Sequence, residues 1–308
     1  MTKAKTTTKL EGMVNDGSIP TLPINYDLYE PIRFGNYVKM GTEVEDLETN
    51  INSELPYLLE GEKGIGKTML VTEVCAKNDI ALVSYNCSSG TTMGDIIGRE
   101  HLNTTGSVFK LGVLPTAIEV ANKTGKAILY LDELNALEPE IQKMLNPVID
   151  DRRNIIVNNK IYKVNDGVLF TIVASQNPSY YAGVNQLNED LRSRFVGNVV
   201  DYPTSAQIAS VIDWTDIPEE TVKDPLLSLA IDTVAMKKDS KIDYVLSIRD
   251  IALFCRVYRA YKKELGTSLT EDDLLNRSLK TAILMKFADY DDRQVIRARI
   301  SDAFGVYV

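Results

Sequence analysis

Five short stretches hold residue types that could act together on a phosphate. The first is Tyr57-Leu-Leu-Glu-Gly-Glu-Lys-Gly-Ile-Gly-Lys-Thr-Met-Leu70, in which Gly61, Gly66, Lys67 and Thr68 fill the pattern G-x-x-x-x-G-K-[ST]. Glycines at such spacing let a loop turn tightly and aim successive backbone N–H groups at a phosphate, and a following helix adds its positive dipole end. Lys67 is then expected to reach the β- and γ-phosphates of a nucleoside triphosphate, and the Thr68 hydroxyl to hold Mg²⁺. The expected nucleotide-binding stretch is Gly61, Glu62, Lys63, Gly64, Ile65, Gly66, Lys67, Thr68 and Met69. The second stretch, Ala127-Ile-Leu-Tyr-Leu-Asp-Glu133, is an apolar run ending in two acids. Asp132 suits Mg²⁺ coordination at a strand end. Glu133, one residue on, suits the general base that polarises an attacking water.

The other three stretches are weaker individually. Val168-Leu-Phe-Thr-Ile-Val-Ala-Ser-Gln-Asn-Pro178 brings Asn177 to a strand tip, where an amide could hydrogen-bond the γ-phosphate or the water. Asn-Pro is also an ordinary turn initiator. Leu187-Asn-Glu-Asp-Leu-Arg-Ser-Arg-Phe195 carries Arg192 and Arg194. An arginine there would face outward toward a neighbour's nucleotide, its planar fork suited to a transferring phosphoryl group. The same stretch also reads as a mixed-charge surface helix. Leu246-Ser-Ile-Arg249 opens a long helix, from which Arg249 could fold back over the phosphates or simply stay exposed.

Elements that position these groups can be read from the hydrophobic pattern. Strand-like runs at Pro56–Glu60, Ile80–Asn86, Ala127–Leu131, Val168–Ala174 and Asn198–Asp201 are apolar on consecutive positions, as strands buried on both faces must be. Helical stretches at Thr68–Lys77, Thr92–Arg99, Pro115–Asn122 and Glu138–Asp150 lie between them. This alternation predicts an α/β fold, an αβα sandwich around a parallel sheet. Asn154–Val164 interrupts it, with two β-prone arms around an Asn158-Asn159 turn. Beyond Pro203 strand-like runs cease, and helices are expected at Ala206–Ile212, Pro218–Lys237, Ile248–Leu265, Glu271–Asp289 and Arg293–Ala303. The expected organisation is a tail over residues 1–30, a nucleotide-binding core over 31–203 and an all-helical lid over 204–308.

Bulk properties narrow the function classes. The chain has 308 residues with ordinary hydrophobic (44%) and charged (25%) content, so cores of normal size are available. The net charge of −9 counts against a general nucleic-acid binder, which would carry a basic footprint. Cys75, Cys87 and Cys255 are odd in number and lack C-x-x-C spacing, and His101 stands alone, so neither a disulfide frame nor a zinc site is expected. No apolar run reaches the roughly 20 residues of a membrane span. The Thr- and Lys-rich start is no secretory signal. A reducing cytoplasm is the expected compartment. His101 reads as a surface residue, Tyr180-Tyr181 as turn packing, and Arg152-Arg153 as helix-end charge or a subunit contact.

The ordered set of P-loop, Asp-Glu strand, Ser-Gln-Asn-Pro strand tip, Arg-Ser-Arg-Phe and Ser-Ile-Arg resembles an AAA+ ATPase. More narrowly it is similar to the MoxR/dynein-related branch, which includes CbbQ/NorQ and gas-vesicle N proteins. The resemblance covers about residues 35 to 290. It implies that Gly61–Thr68 is Walker A, Asp132-Glu133 Walker B, Asn177 sensor 1 and Arg249 sensor 2. Arg194 best matches the arginine finger, with Arg192 second. Residues 98–112 resemble the insert before Walker B, and Asn154–Val164 the insertion before sensor 1. The loop departs from the frequent Gly-Pro-Pro-Gly-Thr-Gly-Lys-Thr form at Glu62-Lys63 and Ile65.

The resemblance further implies Mg²⁺-dependent ATP hydrolysis by a ring, most simply a hexamer. It also implies remodelling of a protein client, for many relatives a von Willebrand A-domain protein. A nucleic-acid motor of the restriction or replication type and a nucleotide-dependent assembly protein are the alternatives.

Overall fold

A computed structural model describes residues 19–30, 37–104, 106–178, 185–266 and 268–307. These fall into two compact units, one built chiefly from residues 46–59 and 71–197, the other from 37–45, 60–70 and 198–307. Tyr180-Tyr181 lies outside the described residues.

In chain order the elements through the sheet begin with α1 (Glu43–Asn52), β1 (Tyr57–Glu60), α2 (Lys67–Lys77), β2 (Ala81–Asn86) and the single turn α3 (Met93–Ile96). A hairpin follows, β3 (Gly98–Asn103) and β4 (Gly106–Leu111), then α4 (Val113–Thr124) and β5 (Lys126–Asp132). Two short helices, α5 (Pro139–Gln142) and α6 (Asn146–Ile149), precede a second hairpin, β6 (Asn154–Val157) and β7 (Lys160–Lys163). The sheet elements end with β8 (Leu169–Gln176), α7 (Glu189–Arg192) and β9 (Val196–Val199).

Five strands make one sheet in the order β2-β5-β8-β1-β9, with β2, β5 and β8 paired in parallel. β5 is buried from Ala127 to Leu131 and β8 from Phe170 to Gln176, which explains their continuous apolar sequences. The expected αβα sandwich is thus present. A parallel sheet of this order delivers polar residues at its carboxyl edge, and Asp132 and Asn177 stand at the ends of adjacent strands β5 and β8.

The inserted hairpin forms where expected, with register Asn154↔Lys163 to Val157↔Lys160. Asn158 and Asn159 both have positive φ, 48° and 58°, as a two-residue I′ turn requires. Thr92–Arg99 does not continue as a helix. Gly98 (φ 134°) turns the chain into β3, and a Cβ there would sit 2.5 Å from Phe109. Arg99 and His101 therefore lie on a strand, with Arg99 Nε 3.3 Å from His101 Nε2. The helix read over Glu138–Asp150 is broken by a 3₁₀ turn at Lys143–Leu145, and α6 begins with Pro147 in its first turn.

In the second unit the helices are α8 (Ser205–Val211), α9 (Asp224–Lys238), α10 (Ile248–Leu265), α11 (Glu271–Ala282) and α12 (Tyr290–Phe304). Among the described residues no strand follows β9, as the loss of strand-like runs predicts. Their core includes Leu226, Leu229, Phe254, Leu279, Phe287, Ile296 and Ile300. No described helix is long and apolar enough to cross a membrane.

Candidate nucleotide site

The loop after β1 uses three glycines for two reasons, close packing and positive φ. A Cβ at Gly61 would lie 2.6 Å from Ile65 Cδ1 and 2.7 Å from the Val200 carbonyl. Gly64 and Gly66 have φ of 79° and 102°, a region that side chains disfavour. A Cβ at Gly64 would also fall 2.5 Å from Ser247 Cβ, so the loop passes directly against the start of α10. Ile65 is fully buried and anchors the loop from below.

Lys67 is buried, and its ammonium donates to the carbonyls of Gly61 (2.5 Å) and Glu62 (2.9 Å). The lysine is thus curled back over its own loop. Lys63, Thr68 and Met69 are exposed, so the mouth of the loop and the first turn of α2 are open to a ligand. This cradle, closed to side chains at Gly61 and Gly64 yet open at Thr68, fits the polyphosphate of a nucleotide. Gly64→Ala is expected to weaken nucleotide binding about tenfold, since a Cβ in the left-handed region costs roughly 1–2 kcal/mol even before the Ser247 clash. Titration with a fluorescent ATP analogue measures this; unchanged affinity would show that the loop reshapes freely.

At the acidic strand end, Asp132 accepts hydrogen bonds from the Tyr130 hydroxyl (3.1 Å) and from Ser175 Oγ. The same Ser175 oxygen accepts from the Glu133 backbone N–H at 3.2 Å. Ser175 therefore ties β8 to both acids, a role that its place in the Ser-Gln-Asn tip does not mark in the sequence. Glu133 sits at φ 57°, ψ 46°, a left-handed conformation that costs a side-chain-bearing residue roughly 1–2 kcal/mol. Asn135, almost fully buried, donates to the Asn177 carbonyl at 3.1 Å, while its own Oδ1 is buried without a partner. Asn135 was likewise not anticipated; nothing in its local sequence marks it. Nearby, burial and the charges of Asp132 and Glu133 push the Cys87 thiol up to about 12, so it stays protonated and inert.

Arg194 is half-buried, 3.2 Å from Asp190 and 3.9 Å from Asp150, with its Nε buried and unpartnered. Arg192, at the end of α7, is exposed. Arg152 pairs with Asp150 at 2.6 Å. Arg153 pairs with Glu54 at 2.9 Å and donates to the Phe170 carbonyl at 3.2 Å, so this arginine fastens the hairpin base to β8. Arg249 occupies the first turn of α10 and is exposed, two residues from the Ser247 that touches Gly64.

Known proteins resemble this chain over the same region. Residues 56–195 match the AAA domain (dynein-related subfamily). NorQ of Paracoccus denitrificans is 31% identical over 57% of this chain and 63% of its own length. CbbQ of Hydrogenophilus thermoluteolus is 27% identical over 63% of this chain and 71% of its own. The denitrification regulatory protein NirQ of Pseudomonas aeruginosa is 28% identical over 63% of this chain and 72% of its own. The chain thus spans slightly less than two thirds of NorQ. Loop, acidic strand and sequence likeness point the same way: residues 56–195 match the dynein-related AAA domain, and the chain is similar to NorQ, CbbQ and NirQ over that region.

Proposed function

We propose that this protein is a ring ATPase, most simply a hexamer, that uses Mg²⁺-dependent ATP hydrolysis to remodel or activate a protein partner. The observation that carries the hydrolytic part is the paired acid edge, Asp132 and Glu133, held by Ser175 and set in a strained backbone at Glu133. Lys67 and the loop amides bind the phosphates, and Arg249 reaches them from the helical lid that follows Pro203. Thr68 and Asp132 would hold Mg²⁺, which would neutralise charge on the bridging phosphate oxygens. Glu133 orients the water and accepts its proton. Asn177 holds the water or the γ-phosphate. Arg194 acts on the nucleotide of the adjacent protomer.

A protein partner is favoured by two features. Both inserted hairpins expose apolar side chains, Leu102 on one (86%) and the cross-strand pair Ile156–Ile161 on the other (68% and 63%). Aqueous surfaces seldom keep such residues paired without a use. The acidic net charge of −9 disfavours nucleic acid as the partner. A von Willebrand A-domain protein is the client expected from the likeness to the CbbQ/NorQ branch. A reducing cytoplasm is the setting that the three scattered, free cysteines favour.

Assembly should be visible in the kinetics. Specific ATP turnover is expected to rise with protein concentration in step with the appearance of a ring by light scattering. Turnover that is constant from the monomer upward would sink the ring reading and leave a stand-alone nucleotide switch.

A further inference from the structure

The start of α10 carries a buried carboxylate that no phosphate-binding role uses. Asp250 is 2% exposed, and its Oδ2 accepts from the Ser247 N–H (2.9 Å), the Ser247 hydroxyl (2.7 Å) and the Tyr244 hydroxyl (2.8 Å). Its Oδ1 lies 3.0 Å from Lys286 Nζ, in the turn after α11. In return the Asp250 N–H donates to Ser247 Oγ at 3.3 Å, which completes a capping box. A cap alone needs only the Ser247 contacts. Here the carboxylate also gathers a lysine and a tyrosine from two other segments, and it fastens Ser247, which packs against Gly64 of the P-loop.

The surroundings link the same groups. The Tyr202 hydroxyl donates to the Leu246 carbonyl, and burial, then the negative charges of Asp250 and of Glu62 in the P-loop, raise its pKa. Burial and Asp250 likewise raise that of Tyr244, while the Arg249 guanidinium lowers it, so Arg249 lies within electrostatic reach of this cluster. Asp250, Ser247 and Gly64 thus form one continuous contact from lid core to phosphate loop, with Arg249 on its rim.

We propose that Asp250 is a positioning residue for ATP turnover: anchored by Lys286 and Tyr244, it fixes the first turn of α10 against the P-loop and thereby sets where Arg249 stands. This rests on Arg249 facing the phosphates, as argued above. A misplacement of about 1 Å can cost roughly 100-fold in rate, so Asp250→Asn should lower kcat about 10–100-fold with KM for ATP within about threefold of wild type. The test is a double-mutant cycle with Arg249→Ala in the full-length chain, at protein concentrations where turnover has reached its plateau.

If the inference holds, Asp250→Asn and Arg249→Ala each lower kcat, and the double variant is no worse than Arg249→Ala alone. An Asp250→Asn effect of the same factor in both backgrounds would overturn it and leave the role of Arg249 intact. Wild-type kcat in Asp250→Asn would also overturn it. Arg249→Ala with wild-type kcat would overturn both the inference and the phosphate-facing role beneath it. Should Asp250→Asn fail to fold, Lys286→Gln retains the capping box and a donor to Asp250, and the same cycle is read with it.

Discussion

Arg194→Ala is expected to cut ATP turnover of the assembled protein by roughly 10³–10⁵-fold, the range an arginine supplied in trans contributes. Nucleotide affinity and ring formation should change little. In the structure this side chain is held by two carboxylates. Its guanidinium rests between Asp190 and Asp150, while Arg152 shares Asp150. The side-chain hydrogen bond from Arg152, together with the Arg194 charge, outweighs burial and holds the Asp150 carboxyl below its usual range. Asp150 therefore stays ionised through neutral pH and keeps orienting Arg194. Lysine should not rescue, because it lacks the planar fork that meets phosphate oxygens in pairs. Arg192→Ala is the control from the same turn and should retain most activity. The measurement is steady-state phosphate release with size analysis in parallel. The reverse pattern, with Arg192 indispensable and Arg194 neutral, would move the finger by two residues.

Glu133→Gln should lower turnover by roughly 10²–10⁴-fold while ATP still binds, because a glutamine can orient water but cannot accept its proton. The structural reason to expect a clean effect is that the backbone at Glu133 is already committed. Its left-handed conformation and the N–H bond to Ser175 do not depend on the carboxylate. The substitution therefore removes a proton acceptor and leaves the strand tip in place. Calorimetric titration with ATP, beside single-turnover hydrolysis, separates the two quantities. Loss of binding in parallel with loss of turnover would show that Glu133 supports the site and does not act as its base. An ATP-locked Glu133→Gln ring would also be the form in which to search for the protein partner.

Local sequence determined the parts of this protein that depend on local rules. The P-loop was legible because a left-handed turn requires glycine and because phosphate, lysine and hydroxyl impose a fixed spacing; Gly64 and Gly66 do take positive φ. The central strands β1, β5 and β8 were legible because strands covered on both faces must be apolar without alternation, whereas β9 falls at Val196–Val199, two residues before the expected Asn198–Asp201, and is mostly exposed. The second hairpin was legible because Asn-Asn is among the few pairs that tolerate its turn. Length and continuity of helices were less legible. Thr92–Arg99 has the pattern of a helix, yet Gly98 packs so closely on Phe109 and Lys110 that the chain must leave the helix there.

What only tertiary structure decided were contacts between residues far apart in the chain. Ser175 bridging Asp132 and Glu133, Asn135 holding the carbonyl of Asn177, and Ser247 seated on Gly64 each join segments more than 40 residues apart. Serine and asparagine carry no signature of such a role, since each hydrogen-bonds as readily to water or to its own backbone. Asp250 shows the limit most clearly. In sequence it is an N-terminal helix acid like many others. Only burial, which brings Lys286 and Tyr244 onto one carboxylate and removes the water that would compete with them, makes it the anchor between lid and loop.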